Sequence, residues 1–129
     1  MKLSPLSRKT PLKVNTRPRK RNAPRPAEKS ALGYLKWLRG RECVVCCMKG
    51  YSSASRIEAA HVDYAGGKGV GTKVADKHAI PMCGVHHAEQ HSLGWNTFEG
   101  KYRFNAADFA RQFWKAWPGR GAWEAKNGA

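Results

Sequence analysis

The chain has 129 residues, with 24 Lys and Arg against 9 Asp and Glu, for a formal net charge of +15. So basic a balance points to a polyanionic partner and counts against an ordinary enzyme of acidic small-molecule cargo. Membrane insertion is not expected, because no apolar run approaches the ~18–20 residues a spanning helix requires.

The charge is concentrated at the start. Residues 1–29 hold ten basic side chains, one acid (Glu28) and five of the seven prolines. Such a segment buries too little apolar surface to offset the entropy of ordering, so a disordered basic arm is predicted. Arg17, Arg19, Lys20, Arg21 and Arg25 would there bind phosphates without sequence preference, with an affinity that falls steeply as salt rises. No apolar secretory segment or cleavage pattern occurs in this stretch, and its prolines break any transit helix. A reducing, cytoplasmic setting is the expectation.

Residues 30–117 read as one small α+β domain whose modest core a metal would supplement. Ser30–Arg39 is predicted as a helix, with Leu32, Leu35 and Leu38 as its apolar stripe and Gly40 as its stop. A knuckle, Cys43–Met48, follows. Strands are predicted over Arg56–Val62 and His78–Met82, with Pro81 at a strand end. Between them, Gly66–Lys73 has four glycines, and Lys68 and Lys73 could neutralise a phosphate brought close to the backbone. It reads equally as a plain connecting loop, and its Gly-Thr-Lys order is not that of a Walker A motif.

A helix is predicted from Cys83. Asn96-Thr97-Phe98-Glu99 resembles a capping box that opens a second one. Asn105–Trp117 reads as an amphipathic helix carrying Phe109, Phe113, Trp114 and Trp117, which are expected to close the core against the Leu32–Leu38 helix rather than to stack on bases. Residues 118–129 read as a frayed tail in which Trp123 has no assigned partner.

Two groups of side chains carry metal chemistry. Cys43-x2-Cys46 and Cys83-x2-His86 supply three thiols and an imidazole, the donor set of a closed tetrahedral Zn2+ site. Cys47 is a lower-ranked substitute for Cys46, and disulfides would need an oxidising compartment. His87 and His91 lie four apart, on one face of the predicted helix, where they can share a second metal with open positions. His87-Ala88-Glu89-Gln90-His91 is not the metalloprotease His-Glu-x-x-His. His61-Val62-Asp63 with Pro81-Met82-Cys83 likewise misses the zinc-deaminase pattern.

The order Cys-x2-Cys, Ala60-His61, Pro81-Met82-Cys83-x2-His86-His87-x3-His91 resembles the HNH (ββα-metal, His-Me finger) nucleases, in particular phage and prophage members that enhance recombination. The stretch Gly66–Asp76 is also similar to that group, and the resemblance covers about residues 43–95. It implies a ββα-metal module of strand, loop, strand and helix with a structural zinc knuckle and flanking helices. It further implies His61 as general base, His87 and His91 as ligands of a catalytic Mg2+, Mn2+ or Zn2+ ion, and Cys43, Cys46, Cys83 and His86 as structural zinc ligands. Ala60 departs from the pattern, because that place often holds an acidic or histidine ligand. His78 lies nearest by spacing to the family's middle position, often Asn, and Asp76 is the other candidate. Water, Asp63, Asp76 or Glu89 would complete the metal shell.

A metal-dependent DNA endonuclease of a bacterium or phage is the leading expectation. Imidazole titrates near pH 7, which suits His61 to taking a proton from the attacking water. The alternatives are a non-catalytic, zinc-stabilised nucleic-acid-binding module and a recombination accessory nuclease. The accessory would cut DNA only with a partner, and the resemblance implies a RecA-type recombinase filament on single-stranded DNA as that partner.

Overall fold

The computed structural model describes residues 25–66 and 73–128. Arg17, Arg19, Lys20, Arg21 and Lys68 therefore lie outside the described residues. Among the described residues the architecture is small α+β: a two-stranded antiparallel sheet among six α-helices. No described helix is long and apolar enough to cross a membrane.

Helix α1 spans Leu32–Leu38 and buries Tyr34, Leu35 and Leu38. The predicted stripe is corrected at one end, since Leu32 is 73% exposed and Tyr34 takes the inner position. Tyr34 is the better core residue here because its hydroxyl has a partner: it donates to the Ala79 carbonyl at 2.9 Å. Helix α2, Val44–Met48, follows directly on Cys43.

Strands β1 (Ile57–His61) and β2 (Ala79–Cys83) pair from Ile57 opposite Cys83 to His61 opposite Ala79. Pro81 sits in the middle of β2, opposite Ala59, and not at its end. A two-stranded sheet consists of edges, so a residue lacking an N–H is tolerated where its nitrogen faces away from the partner. Side chains alternate across this ribbon. Glu58, Ala60, Ile80 and Met82 share one face, and Ala59, His61, Ala79 and Pro81 the other. Two cores result. Ala60, Ile80 and Met82 pack with the buried cysteines, Trp95 and Phe98. Ala79 packs with Tyr34, Leu35 and Leu38, and Ala59 lies against them.

Helix α3 (Gly84–Leu93) starts at the end of β2, with Cys83 as its N-cap. Gly94, at φ +80°, turns the chain into α4, Trp95–Tyr102. The predicted Asn96 cap is thus displaced into the helix, because the left-handed glycine ends α3 and starts α4 in one step. Asn105 does cap α5, Ala106–Ala116, accepting from the Asp108 N–H at 2.9 Å. Of the predicted aromatics Phe113, Trp114 and Trp117 pack against the α1 cluster as expected, whereas Phe109 packs against the cluster that holds the buried cysteines.

The frayed tail is corrected. Arg120–Asn127 forms α6, and Trp123 donates its indole N–H to the Ser30 carbonyl at 2.8 Å. Its ring meets Trp114 edge-on, with 5.2 Å between centroids. A lone tryptophan that looked isolated in sequence thereby packs against the α1 cluster.

Candidate functional site

Cys43 ends the segment before α2 and Cys46 sits within that helix, while Cys83 ends β2 and His86 lies in the first turn of α3. All four are buried, with donor atoms within 4.8 Å of one another. The Cys46 and Cys83 sulfurs are 3.9 Å apart, and His86 Nδ1 lies 3.6, 3.4 and 3.1 Å from Cys43, Cys46 and Cys83. A tetrahedral zinc with bonds of about 2.1–2.3 Å places its ligand atoms about 3.5–3.8 Å apart, so the cluster could hold a zinc ion with small adjustments. A disulfide is excluded between Cys46 and Cys83, whose separation is well beyond the ~2.05 Å of an S–S bond. Cys47 is exposed and stands outside the set.

The protonation tendencies fit that role. Burial pushes the Cys43 thiol up to about 11. For Cys83, burial also acts upward, but the His86 backbone N–H and the Cys43 and Cys46 thiols outweigh it and hold it below the ordinary thiol value. Burial lowers His86, which favours the neutral ring that a metal needs. A dication here would supply the charge that lets buried thiols ionise.

His87 and His91, one turn apart on α3, bring their Nε2 atoms to 3.1 Å. His87 Nδ1 faces Glu58 Oε1 at 2.7 Å. A carboxylate only accepts, so this contact puts the His87 proton on Nδ1 and leaves the Nε2 lone pair turned toward His91. Adjacent nitrogen ligands on one metal ion lie about 3.0–3.4 Å apart, which the pair matches. Glu58 has the geometry of the carboxylate that orients a ligating histidine from behind. Sequence reading missed it, although an acid within the otherwise apolar run Ile57–Ala60 was a visible signal.

His61 has a different partner. Its Nε2 lies 2.8 Å from Asp76 Oδ1, whose carboxylate also accepts the Ala31 N–H at 2.9 Å and lies 3.4 Å from Arg25 Nε. Asp76 is 1% exposed. Burial works against its charge, but hydrogen bonds from His61 and the Ala31 N–H, with the charges of His61 and Arg25, hold it below 3.8. The carboxylate fixes the His61 proton on Nε2 and leaves Nδ1 as the basic nitrogen.

The three imidazoles do not form one donor set. Among the described residues, the Cys43–Cys46–Cys83–His86 cluster is the set of three or more donors within 4.8 Å. Strand alternation puts His61 on the opposite face of β1 from Glu58. At the end of the strand Trp95, just beyond α3, donates its indole N–H to the His61 carbonyl at 3.2 Å.

The remaining candidates disperse. Asp63 is exposed in the Asp63–Gly66 turn. Glu89 is bonded to Lys101 and Tyr102 on α4. His78 is half-buried at the end of the short 3-10 turn Asp76–His78, and burial, Lys77 and His61 all lower its basicity. Arg25 belongs to the folded body, since its Nε also donates to the Val74 carbonyl at 2.9 Å. Lys73 accepts at its carbonyl from Lys29 Nζ at 3.2 Å.

Fold and site together define a small α+β protein built around a buried Cys3His cluster that could hold zinc. A family model described as a protein of unknown function, DUF968, matches residues 7–117, and the chain belongs to that family. No curated protein and no solved structure matches the chain.

Proposed function

We propose that the protein is a metal-dependent endonuclease that hydrolyses DNA phosphodiester bonds. The observation that carries this reading is the Glu58–His87–His91 relay, two ring nitrogens 3.1 Å apart on the helix that also carries His86 of the buried cluster. The Asp76-held His61 at the strand end and the formal charge of +15 add support.

In this reading His61 Nδ1 takes the proton of the attacking water, while Asp76 keeps the ring in the correct tautomer and stabilises the imidazolium that forms. His87 and His91 would hold a Mg2+, Mn2+ or Zn2+ ion, with Glu58 orienting His87. When bound, that ion supplies positive charge to the scissile phosphate and the departing 3′ oxygen. The Cys3His cluster anchors α2, β2 and the start of α3, and so keeps the His87–His91 turn beside β1. The basic arm before residue 25 would hold the polyanion near the site.

The test is incubation of the purified chain with plasmid and single-stranded DNA, with Mg2+ or Mn2+ and without. Metal-dependent nicking that disappears in His87→Ala supports the enzyme. Cleavage that requires an added recombinase filament assigns the accessory role.

A second reading, the zinc-stabilised binding module without catalysis, draws on Ala60. That residue is fully buried and offers no donor beside His87 and His91, and His61 lies on the other face of β1. DNA binding with no cleavage under any metal favours it.

A further inference from the structure

A groove of 820 Å³ lies between the Asp63–Gly66 turn and helix α4 with the turn that follows it. Tyr64, half exposed, and Trp95 give it aromatic walls, and Glu99, Asn96 and Arg103 give it polar edges. Trp95 is also the residue bonded to the His61 carbonyl, so the groove shares a wall with the strand end that carries His61.

Its polar edge is fixed in place. Glu99 Oε2 accepts from the Tyr64 hydroxyl at 2.7 Å and from the Ala106 N–H at 2.9 Å. Glu99 Oε1 has no protein donor among the described residues. Arg103 is the one non-glycine residue at positive φ among the described residues, at 56°, closing α4 in a left-handed turn. Glycine would adopt that turn without strain, so an arginine there points to a use for the side chain. At Gly100 a Cβ would meet nothing within 4 Å, which leaves that wall of α4 open.

We infer that this groove binds a single unpaired base of a DNA strand, one that carries an exocyclic amine. The inference rests on DNA being the substrate, as proposed above, and not on cleavage. The carboxylates of Asp63 and Glu99 repel a phosphate, yet they suit an amino group because they only accept hydrogen bonds. Every base has a face that stacks on an aromatic ring, as Tyr64 offers. A base reaches such a groove only after leaving a duplex stack, so single strands are preferred over duplex. Arg103 would then take the phosphate beside the bound base.

The test is fluorescence polarisation of labelled deoxycytidine strands, deoxythymidine strands and a duplex, at one fixed salt and without added divalent ion, using the full zinc-loaded chain. Gly100→Leu fills the groove from a position with no steric neighbour, and Tyr64→Ala removes its stacking wall. Each should weaken deoxycytidine binding about five- to tenfold and leave duplex binding unchanged. Arg103→Gly, compatible with the left-handed turn, should weaken single-strand binding too. The wild type should bind deoxycytidine more tightly than deoxythymidine. Unchanged single-strand binding in both Gly100→Leu and Tyr64→Ala, equal losses on strand and duplex, or a preference for deoxythymidine would each overturn the inference. A chain that never cuts DNA but shows the predicted losses keeps the groove and removes the nuclease reading.

Discussion

Two neighbouring positions of α3 use the same residue type for opposite purposes. His86, in the first turn, is buried among three thiols, and its ring is one corner of a closed shell. His87, its immediate neighbour, turns to the outside, pairs with Glu58 and meets an exposed His91. One step along a helix rotates a side chain by about 100°, enough to move it from the core to the surface. Burial with a complete donor set makes a clamp, while exposure with an incomplete set leaves positions for a substrate.

The largest expected effect lies at the clamp. Cys83→Ser should unfold the domain, seen as loss of the cooperative far-UV melt, because structural zinc contributes on the order of 10 kcal/mol to small metal-dependent folds. Elemental analysis should give one tightly held zinc per chain, and Cys47→Ser should leave both zinc content and Tm unchanged. A zinc-free Cys47→Ser protein would break the assignment of the four ligands.

Next in size is catalysis. His61→Ala should lower nicking by about 10²–10⁴-fold with zinc content intact, the usual range for a general base. Wild-type cleavage in this variant would remove His61 from the chemistry. Glu58→Gln should weaken the second ion by about 10–100-fold, read as a shift in the Mn2+ concentration needed for half-maximal nicking, without loss of fold.

Asp76 sharpens the contrast through pH. Its folded value lies below 3.8, so its stabilising effect is fully present above that pH and disappears as pH falls through the lower value. Asp76→Asn should therefore lower Tm at neutral pH, and the gap to wild type should narrow below pH 3.8. A constant gap would show that the Ala31 and His61 contacts do not depend on its charge. The smallest effect should come from Leu32→Ser, within about 0.5 kcal/mol by denaturant titration, because Leu32 is 73% exposed.

Much of this was legible in the residues. The Cys-x2-Cys and Cys-x2-His spacings identified the cluster because thiol and imidazole donors have few other uses together. The two strands and α3 followed from apolar alternation and from Pro81 preceding a helix-favouring run. What escaped was whatever depended on contacts far apart in sequence. Asp76 was visible as a carboxylate but not as the partner of both His61 and the Ala31 N–H, 45 residues away. Leu32 fitted the helical stripe, yet Tyr34 displaced it once Ala79 offered a carbonyl. Asn96 resembled a cap because local chemistry cannot reveal that Gly94 has already set the helix start. Trp123 was illegible for the same reason: its partner, Ser30, lies 93 positions back.

That last contact has a practical consequence. The family match ends at residue 117, whereas α6 occupies Arg120–Asn127. A chain trimmed to the matched span would uncover the faces of Trp114 and Trp117 and leave the Ser30 carbonyl to solvent. Such sticky indole surface draws copies of a protein together, so the shortened form should precipitate during purification where the full chain stays dispersed.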